Sequence, residues 1–298
     1  MKEKDPYLIV GASGLIGRAM SQSLSKRGIR WKGTYHSRFE PGLVKWDITN
    51  LDETKNIFSK FNPISVVLCT NLPGGVDFCD ENRHIAAEFH LNSTKRIGQY
   101  CKEVNATLIY LSTDYVFDGG KYPYQEEAMP NPLNVYGQLK FQSEQWIQEN
   151  LKKFLIIRTT NVYGWDPQTV TPNYMMNLYR ALQKGKIFHA PSFLFGNPTY
   201  VVDLVQGILE LCEKNYSGLF HIVGDSFINR FQWALDAATI LGLEMSLIKE
   251  LKYPISNKIE RPLKSWLSNK KFKDHCKTKM HNHLEGLNLM KLSLERSY

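Results

Sequence analysis

No stretch of this 298-residue chain approaches the roughly 18 consecutive apolar residues that a bilayer span requires, so no membrane partner is expected. The opening residues, Met1 to Tyr7, are charged and lack the apolar centre of a secretory signal, and the expected location is cytoplasmic. Cysteine is scarce. The five residues (Cys69, Cys79, Cys101, Cys212 and Cys276) are odd in number and scattered without a CxxC pair, which argues for reduced thiols rather than a disulfide framework. The net charge is +8, yet Lys and Arg are interleaved with Asp and Glu and no basic stripe carries aromatic stackers. Nucleic acid is therefore not the expected partner, and the densest basic stretch, Lys270 to Lys279, reads as solvated surface. No internal repeat or low-complexity segment is visible. Hydrophobic residues at 43% and charged residues at 22% are ordinary for a soluble globular protein with a sizeable core.

Against these absences stands a glycine pattern in a telling context. Tyr7-Leu-Ile-Val-Gly-Ala-Ser-Gly-Leu-Ile-Gly-Arg18 runs an apolar strand into Gly11-x-x-Gly14-x-x-Gly17, a helix follows to about Arg27, and a second strand spans Ile29 to Tyr35. Glycines at these positions allow a tight turn, a close approach to a pyrophosphate and close helix–strand packing, with free N–H groups at the helix start facing the phosphates. Dinucleotide binding is the reading. An NAD-selective site places an acid at the end of the second strand, but here stand His36-Ser37-Arg38, with Arg18 close to the glycines. A guanidinium and a hydroxyl suit a 2′-phosphate, which favours NADPH over NADH.

Strands and helices continue to alternate. Leu43 to Trp46 reads as a strand ending at Asp47-Ile48, placed to flank an adenine; Leu51 to Phe61 is helical and Ile64 to Cys69 a buried strand. Asn71 to Gly75 forms a turn-rich loop, Asn82 to Val104 a long helix, and Leu108 to Leu111 a strand delivering Ser112-Thr113-Asp114. A helix from Asn134 to Asn150 and a strand from Phe154 to Arg158 complete the alternation expected of an α/β, Rossmann-type doubly wound parallel sheet. Beyond it, helices are expected at Asn173 to Lys184, Thr199 to Glu213 and Phe231 to Leu241, a strand at Leu219 to Val223, and an irregular, basic end from Ser246. The expected division is an NAD(P)-binding domain over 1–158, with 199–223 returning to it, and a smaller substrate-binding lobe from 159–198 and 224–298.

Tyr136 and Lys140 lie four apart at the start of a helix, hence on one face. A nearby ammonium lowers a phenol's pKa and makes Tyr136 a usable proton donor or acceptor, while Thr113 can bind the same substrate oxygen. Other constellations carry less. His275, Cys276, His281 and His283 match no standard zinc spacing, and no metal is expected. Asn92, Asn105 and Asn215 begin glycosylation sequons that have no meaning without a secretory signal, and Asp118, Glu126 and Glu127 read as loop charges.

These residues resemble an extended short-chain dehydrogenase/reductase and, more narrowly, the dTDP-4-dehydrorhamnose reductase family. The resemblance rests on Gly11 to Gly17, Tyr136-x-x-x-Lys140, Ser-Thr-Asp-Tyr-Val-Phe-Asp-Gly (112–119), Asn-Pro-Leu-Asn-Val-Tyr-Gly (131–137), Arg-Thr-Thr-Asn-Val-Tyr-Gly (158–164), Gly-Asn-Pro-Thr-Tyr (196–200) and Arg261-Pro262, and it covers nearly the whole chain. It implies a triad of Thr113, Tyr136 and Lys140 and reduction of a nucleotide-linked 4-keto-6-deoxy sugar, as in dTDP-rhamnose biosynthesis. NADPH is the implied hydride donor and NADH the alternative. The expected cofactor contacts are Gly11, Ser13, Gly14, Leu15, Ile16, Gly17, Arg38, Asp47, Ile48, Tyr136 and Lys140. Two departures fall in the substrate region: Asn161 stands where that family usually has Trp, and Phe193-Leu194 where it has Asp-Gln. Related dehydratases follow the threonine with Asp-Glu, whereas Asp114-Tyr115 here points to simple reduction. The methionine adenosyltransferase regulatory β subunit also resembles the chain over Asp-Tyr-Val-Phe-Asp-Gly and Leu-Asn-x-Tyr-Gly, so a non-catalytic NADP-binding subunit is the alternative. A homodimer is left open.

Overall fold

Seven parallel strands make the central sheet: β1 (Asp5–Val10), β2 (Trp31–Tyr35), β3 (Val44–Lys45), β4 (Pro63–Leu68), β5 (Thr107–Thr113), β6 (Phe154–Thr159) and, last in sequence, Gly218–His221. Across the sheet the order is Gly218–His221, β6, β5, β4, β1, β2, β3, so the winding reverses between β1 and β4. That reversal opens a crevice at the strands' C-terminal ends, where doubly wound folds bind ligands. The computed structural model describes residues 5–169, 171–253 and 259–297; 1–4, 170, 254–258 and 298, with part of the charged N-terminus discussed above, lie outside the described residues.

The strands are near-continuous apolar runs because both faces are covered. Ile9, Val67, Ile109, Leu155 and Ile157 pack on one face with the helices Leu15–Lys26 and Val201–Glu213. Leu8, Val10, Val66, Leu108, Tyr110 and Ile156 pack on the other with Leu51–Lys60, Ser93–Glu103 and Val135–Asn150. A third core joins the helices Tyr174–Gln183, Arg230–Leu241 and His283–Glu295 through Leu178, Trp233, Ala237, Leu287 and Met290.

One expectation is refined and one corrected. The long helical stretch expected from Asn82 to Val104 is present as a contiguous run, Arg83–Ala87, a π turn at Glu88–Asn92 and Ser93–Glu103; the π turn and the preceding short helix Gly75–Glu81 are additions to that reading. Among the described residues, the chain after Ser246 is not irregular throughout. Ile248–Leu251 pairs in parallel with Phe188–Pro191, and His283–Glu295 is a helix set by a capping box in which Asn282 and Glu285 satisfy each other's backbone N–H. Its buried Leu287, Met290 and Leu294 recur at helical spacing, a signal blurred by the exposed Leu284 and Leu292 on other faces of the helix. The histidines there are tied to protein partners: His281 Nδ1 lies 2.9 Å from Asp203, and His283 bridges Ser226 (2.8 Å) and Asp236 (2.9 Å).

Candidate active site

The end of β5 and the start of the helix Val135–Asn150 meet because of one missing side chain. A Cβ on Gly137 would lie 2.2 Å from the Tyr115 carbonyl oxygen, so only glycine lets the helix sit against the 3-10 turn Asp114–Val116. Asn134 caps the helix by accepting from the Gly137 N–H at 3.0 Å and donates to the Glu260 carbonyl at 2.9 Å. This packing sets the Tyr136 ring edge-on to Tyr115 (5.8 Å) and to His90 of the π turn (5.4 Å), and brings its hydroxyl to Thr113.

Lys140 donates to the Leu111 carbonyl at 2.9 Å and lies over the Tyr110 ring at 4.7 Å and the Tyr136 ring at 5.9 Å. Burial lowers its pKa to about 8, with Glu144 pulling the other way. Tyr136 departs from the sequence-based expectation: burial pushes its phenol above its ordinary value, outweighing the Thr113 hydrogen bond. The ammonium shares its helix face, but desolvation decides the sign. Asp114 is an anchor, buried with its carboxyl raised by desolvation and accepting from Ser265 and Thr113 hydroxyls.

The crevice by β1 fits a dinucleotide. A Cβ on Gly17 would stand 2.3 Å from the Gly11 carbonyl oxygen, which brings the helix Leu15–Lys26 hard against the turn. Gly14 caps that helix without a side chain, leaving its first N–H groups open to an anion beside Ser13, Leu15 and Ile16. Arg38 donates to the Gln168 carbonyl, and Arg18 donates to Gln168 Oε1 (2.8 Å), Glu40 and the Ser13 carbonyl (3.2 Å). Both guanidiniums therefore meet at one rim. Arg18 is committed to protein partners there, a set of contacts that sequence spacing could not show. At Asp47, burial acts to raise the carboxyl, but hydrogen bonds from the Thr49 N–H (2.9 Å) and hydroxyl (2.7 Å) leave it below its usual value. Ile48 is buried and its carbonyl accepts from Arg96 at 2.9 Å.

Sequence reasoning did not nominate the wall facing Tyr136. Tyr115 is held above its usual pKa by burial, with Arg230 and Arg261 both acting on it in the opposite sense. Arg230 donates to Asn161 Oδ1 at 3.2 Å and lies over the Tyr174 ring at 5.4 Å, and Arg261 pairs with Asp77. Asn161 adopts a left-handed backbone (φ 47°). The advance signals were that Asn161 departs from the family's Trp and that Tyr115 and Arg261 lie in stretches that carry the resemblance. Asp118 accepts from Tyr124, Asn131 and the Gly120 N–H, which fixes its loop, while Glu126 accepts from the His221 N–H at 2.8 Å and so buttresses the sheet edge rather than standing as a free loop charge.

Residues 6–295 match the family model described as RmlD substrate binding domain. The chain belongs to that family. Among curated relatives it is 29% identical over 221 residues to dTDP-4-keto-6-deoxy-D-glucose reductase of Streptomyces niveus, covering 73% of this chain and 72% of that one. It is 26% identical over 250 residues to Methionine adenosyltransferase 2 subunit beta of Xenopus tropicalis, covering 82% and 74%. The crystal structure of a hypothetical dTDP-4-dehydrorhamnose reductase from Sulfolobus tokodaii superposes with a TM-score of 0.84 at 28% identity, covering 94% of this chain and 98% of that one. The Rossmann-like sheet is thus the shared scaffold of the family.

Proposed function

We propose that the chain is an NADPH-dependent reductase of a nucleotide-linked 4-keto-6-deoxy sugar. The observation that carries this is the convergence of Thr113, Tyr136 and Lys140 in one buried corner beside the dinucleotide crevice. NADPH, when bound, supplies the hydride. The turn at Gly11 and Gly14, with the helix packed close by Gly17, would hold its pyrophosphate, Arg38 would hold its 2′-phosphate, Asp47 and Ile48 would flank its adenine, and Lys140 would hold its nicotinamide ribose. Tyr136 gives the hydroxyl proton to the carbonyl oxygen as negative charge develops there, and the phenol favoured by burial is the form a donor requires. Thr113 hydrogen-bonds the same oxygen by turning its one hydroxyl proton away from the Asp114 carboxyl, and the Lys140 ammonium offsets the phenolate left behind. The division into a cofactor domain (1–158 with 199–223) and a substrate lobe (159–198 with 224–298) belongs to the same reading.

The test is loss of NADPH absorbance against a panel of dTDP-, UDP- and GDP-linked 4-keto sugars; turnover of none of them counts against the reading. The second reading, a non-catalytic NADP-binding regulatory subunit, is favoured by the likeness to Methionine adenosyltransferase 2 subunit beta. It expects NADP binding without turnover and co-purification with a larger enzyme.

A further inference from the structure

Glu144 lies one helical turn beyond Lys140 on the helix Val135–Asn150 and is fully buried. Its carboxylate accepts from Arg158 Nε at 3.0 Å and Nη2 at 2.7 Å, the two-pronged geometry of an ionised pair, and from the Ser112 hydroxyl. Ser112 directly precedes Thr113 and stands opposite Arg158 in the β5–β6 register. Arg158 is 3% exposed, stacks over the Phe117 ring at 5.0 Å and approaches His221 Nε2 at 3.5 Å. A buried pair of this kind adds little net stability over an apolar replacement, because desolvation consumes the Coulombic gain.

What surrounds Lys140 gives the pair a purpose. Tyr136 and Glu144 face it from its own helix, Tyr110 from β5, Cys69 from beyond β4, Cys79 from the helix Gly75–Glu81 and His90 from the π turn. Burial raises both tyrosines, pushes Cys69 to about 12 and Cys79 to about 11, and drops His90 well below its ordinary value. Those five groups are neutral at neutral pH, and of the groups named Glu144 alone carries a charge that favours the ammonium.

We propose that Glu144 is a positioning residue: its carboxylate, fixed by Arg158 and Ser112, keeps Lys140 in its ammonium form, and the Arg158–Glu144–Ser112 chain holds Thr113 in place beside Tyr136. This rests on the reductase reading for its purpose, but its test needs neither substrate nor turnover. In protein carrying isotope-labelled lysine, the Lys140 side-chain resonance, assigned by its loss in Lys140→Met, is followed against pH. Glu144→Gln alone leaves a buried guanidinium unpaired and can fail to fold, so the double variant Glu144→Gln, Arg158→Met is the decisive one. The Lys140 midpoint should fall by about one pH unit or more in the double variant, and Glu144→Asp should recover most of it. An unchanged midpoint in the double variant overturns the proposal and leaves the reductase reading standing. A shifted midpoint in a native chain that reduces no keto sugar supports the electrostatic role and sinks that reading instead.

Discussion

Tyr136 is a phenol at neutral pH and burial only reinforces that form, so its replacement should act through the loss of a proton donor. Tyr136→Phe removes one hydroxyl from a packed ring, so the fold and NADPH affinity should persist while turnover falls about 100-fold or more, the scale of a lost general acid. Thr113→Val removes a hydrogen bond to the same oxygen and should cost less. Wild-type turnover in Tyr136→Phe would end the proposed mechanism. In the proposed mechanism Lys140 works as an ammonium, and with its pKa lowered by burial to about 8, turnover should fall as pH rises through that value and the amine deprotonates. A pH–rate profile flat from neutrality to well above that midpoint would contradict its role. At the crevice rim, Arg38→Ala should weaken NADPH by about 1.5–3 kcal/mol while sparing NADH, measured by titration of each cofactor. That Tyr136 and Lys140 share a helix face was legible because their spacing is local, whereas Thr113, on a distant strand end, joins them only through the fold; the sign of Tyr136's shift was not legible, because desolvation depends on packing from Thr113, His90 and Tyr115.

Elements carry these residues through caps and close contacts rather than through propensity. Gly137→Ala should be worse than a helix-favouring substitution normally is, since its Cβ would meet backbone at 2.2 Å. Relief by shifting the helix should cost about 1–3 kcal/mol and displace Tyr136, so calorimetry should show a lower Tm and turnover should fall further than stability alone explains. The loop ahead of this helix has its own pH signature. Asp118 is held at about 2 by the Tyr124 hydroxyl, the Gly120 N–H and Asn131. A depressed carboxyl contributes stability fully above its unfolded pKa of 3.8 and loses it as pH falls towards 2. Acid unfolding of Asp118→Asn should lack that component; an acid limb identical to the native one would refute it. The strands were legible because burial on both faces makes them apolar runs, as in Leu155-Ile156-Ile157. The π turn at Glu88–Asn92 and the helix His283–Glu295 were not, since one is a hydrogen-bond shift within a helical pattern and the other depends on a capping box among His and Asn residues.

On the scale of the whole molecule, three contacts join the sheet to the later chain beside the proposed site: Ser265 to Asp114, Asn134 to the Glu260 carbonyl, and Arg261 to Asp77. Sequence could not pair them, since Ser265 and Asp114 lie 151 residues apart. The buried contact matters most, because exposed pairs such as Arg261–Asp77 add little. Asp114 is 4% exposed and Ser265 3% exposed, and Thr113 donates to the same carboxyl. Ser265→Ala therefore strips a donor from a desolvated acid, at a cost of about 1–3 kcal/mol. The loss should act on one side of the molecule only. Among the described residues the glycine turn after β1 shares no hydrogen-bond partner with Asp114, so in the proposed mechanism NADPH affinity should stay near native while Tm falls and the Michaelis constant for the keto sugar rises. Calorimetry, cofactor titration and steady-state kinetics on the one variant separate these effects. Equal losses in NADPH affinity and sugar turnover would mean that the contact supports the whole sheet, and the proposed substrate side would lose its independent anchor.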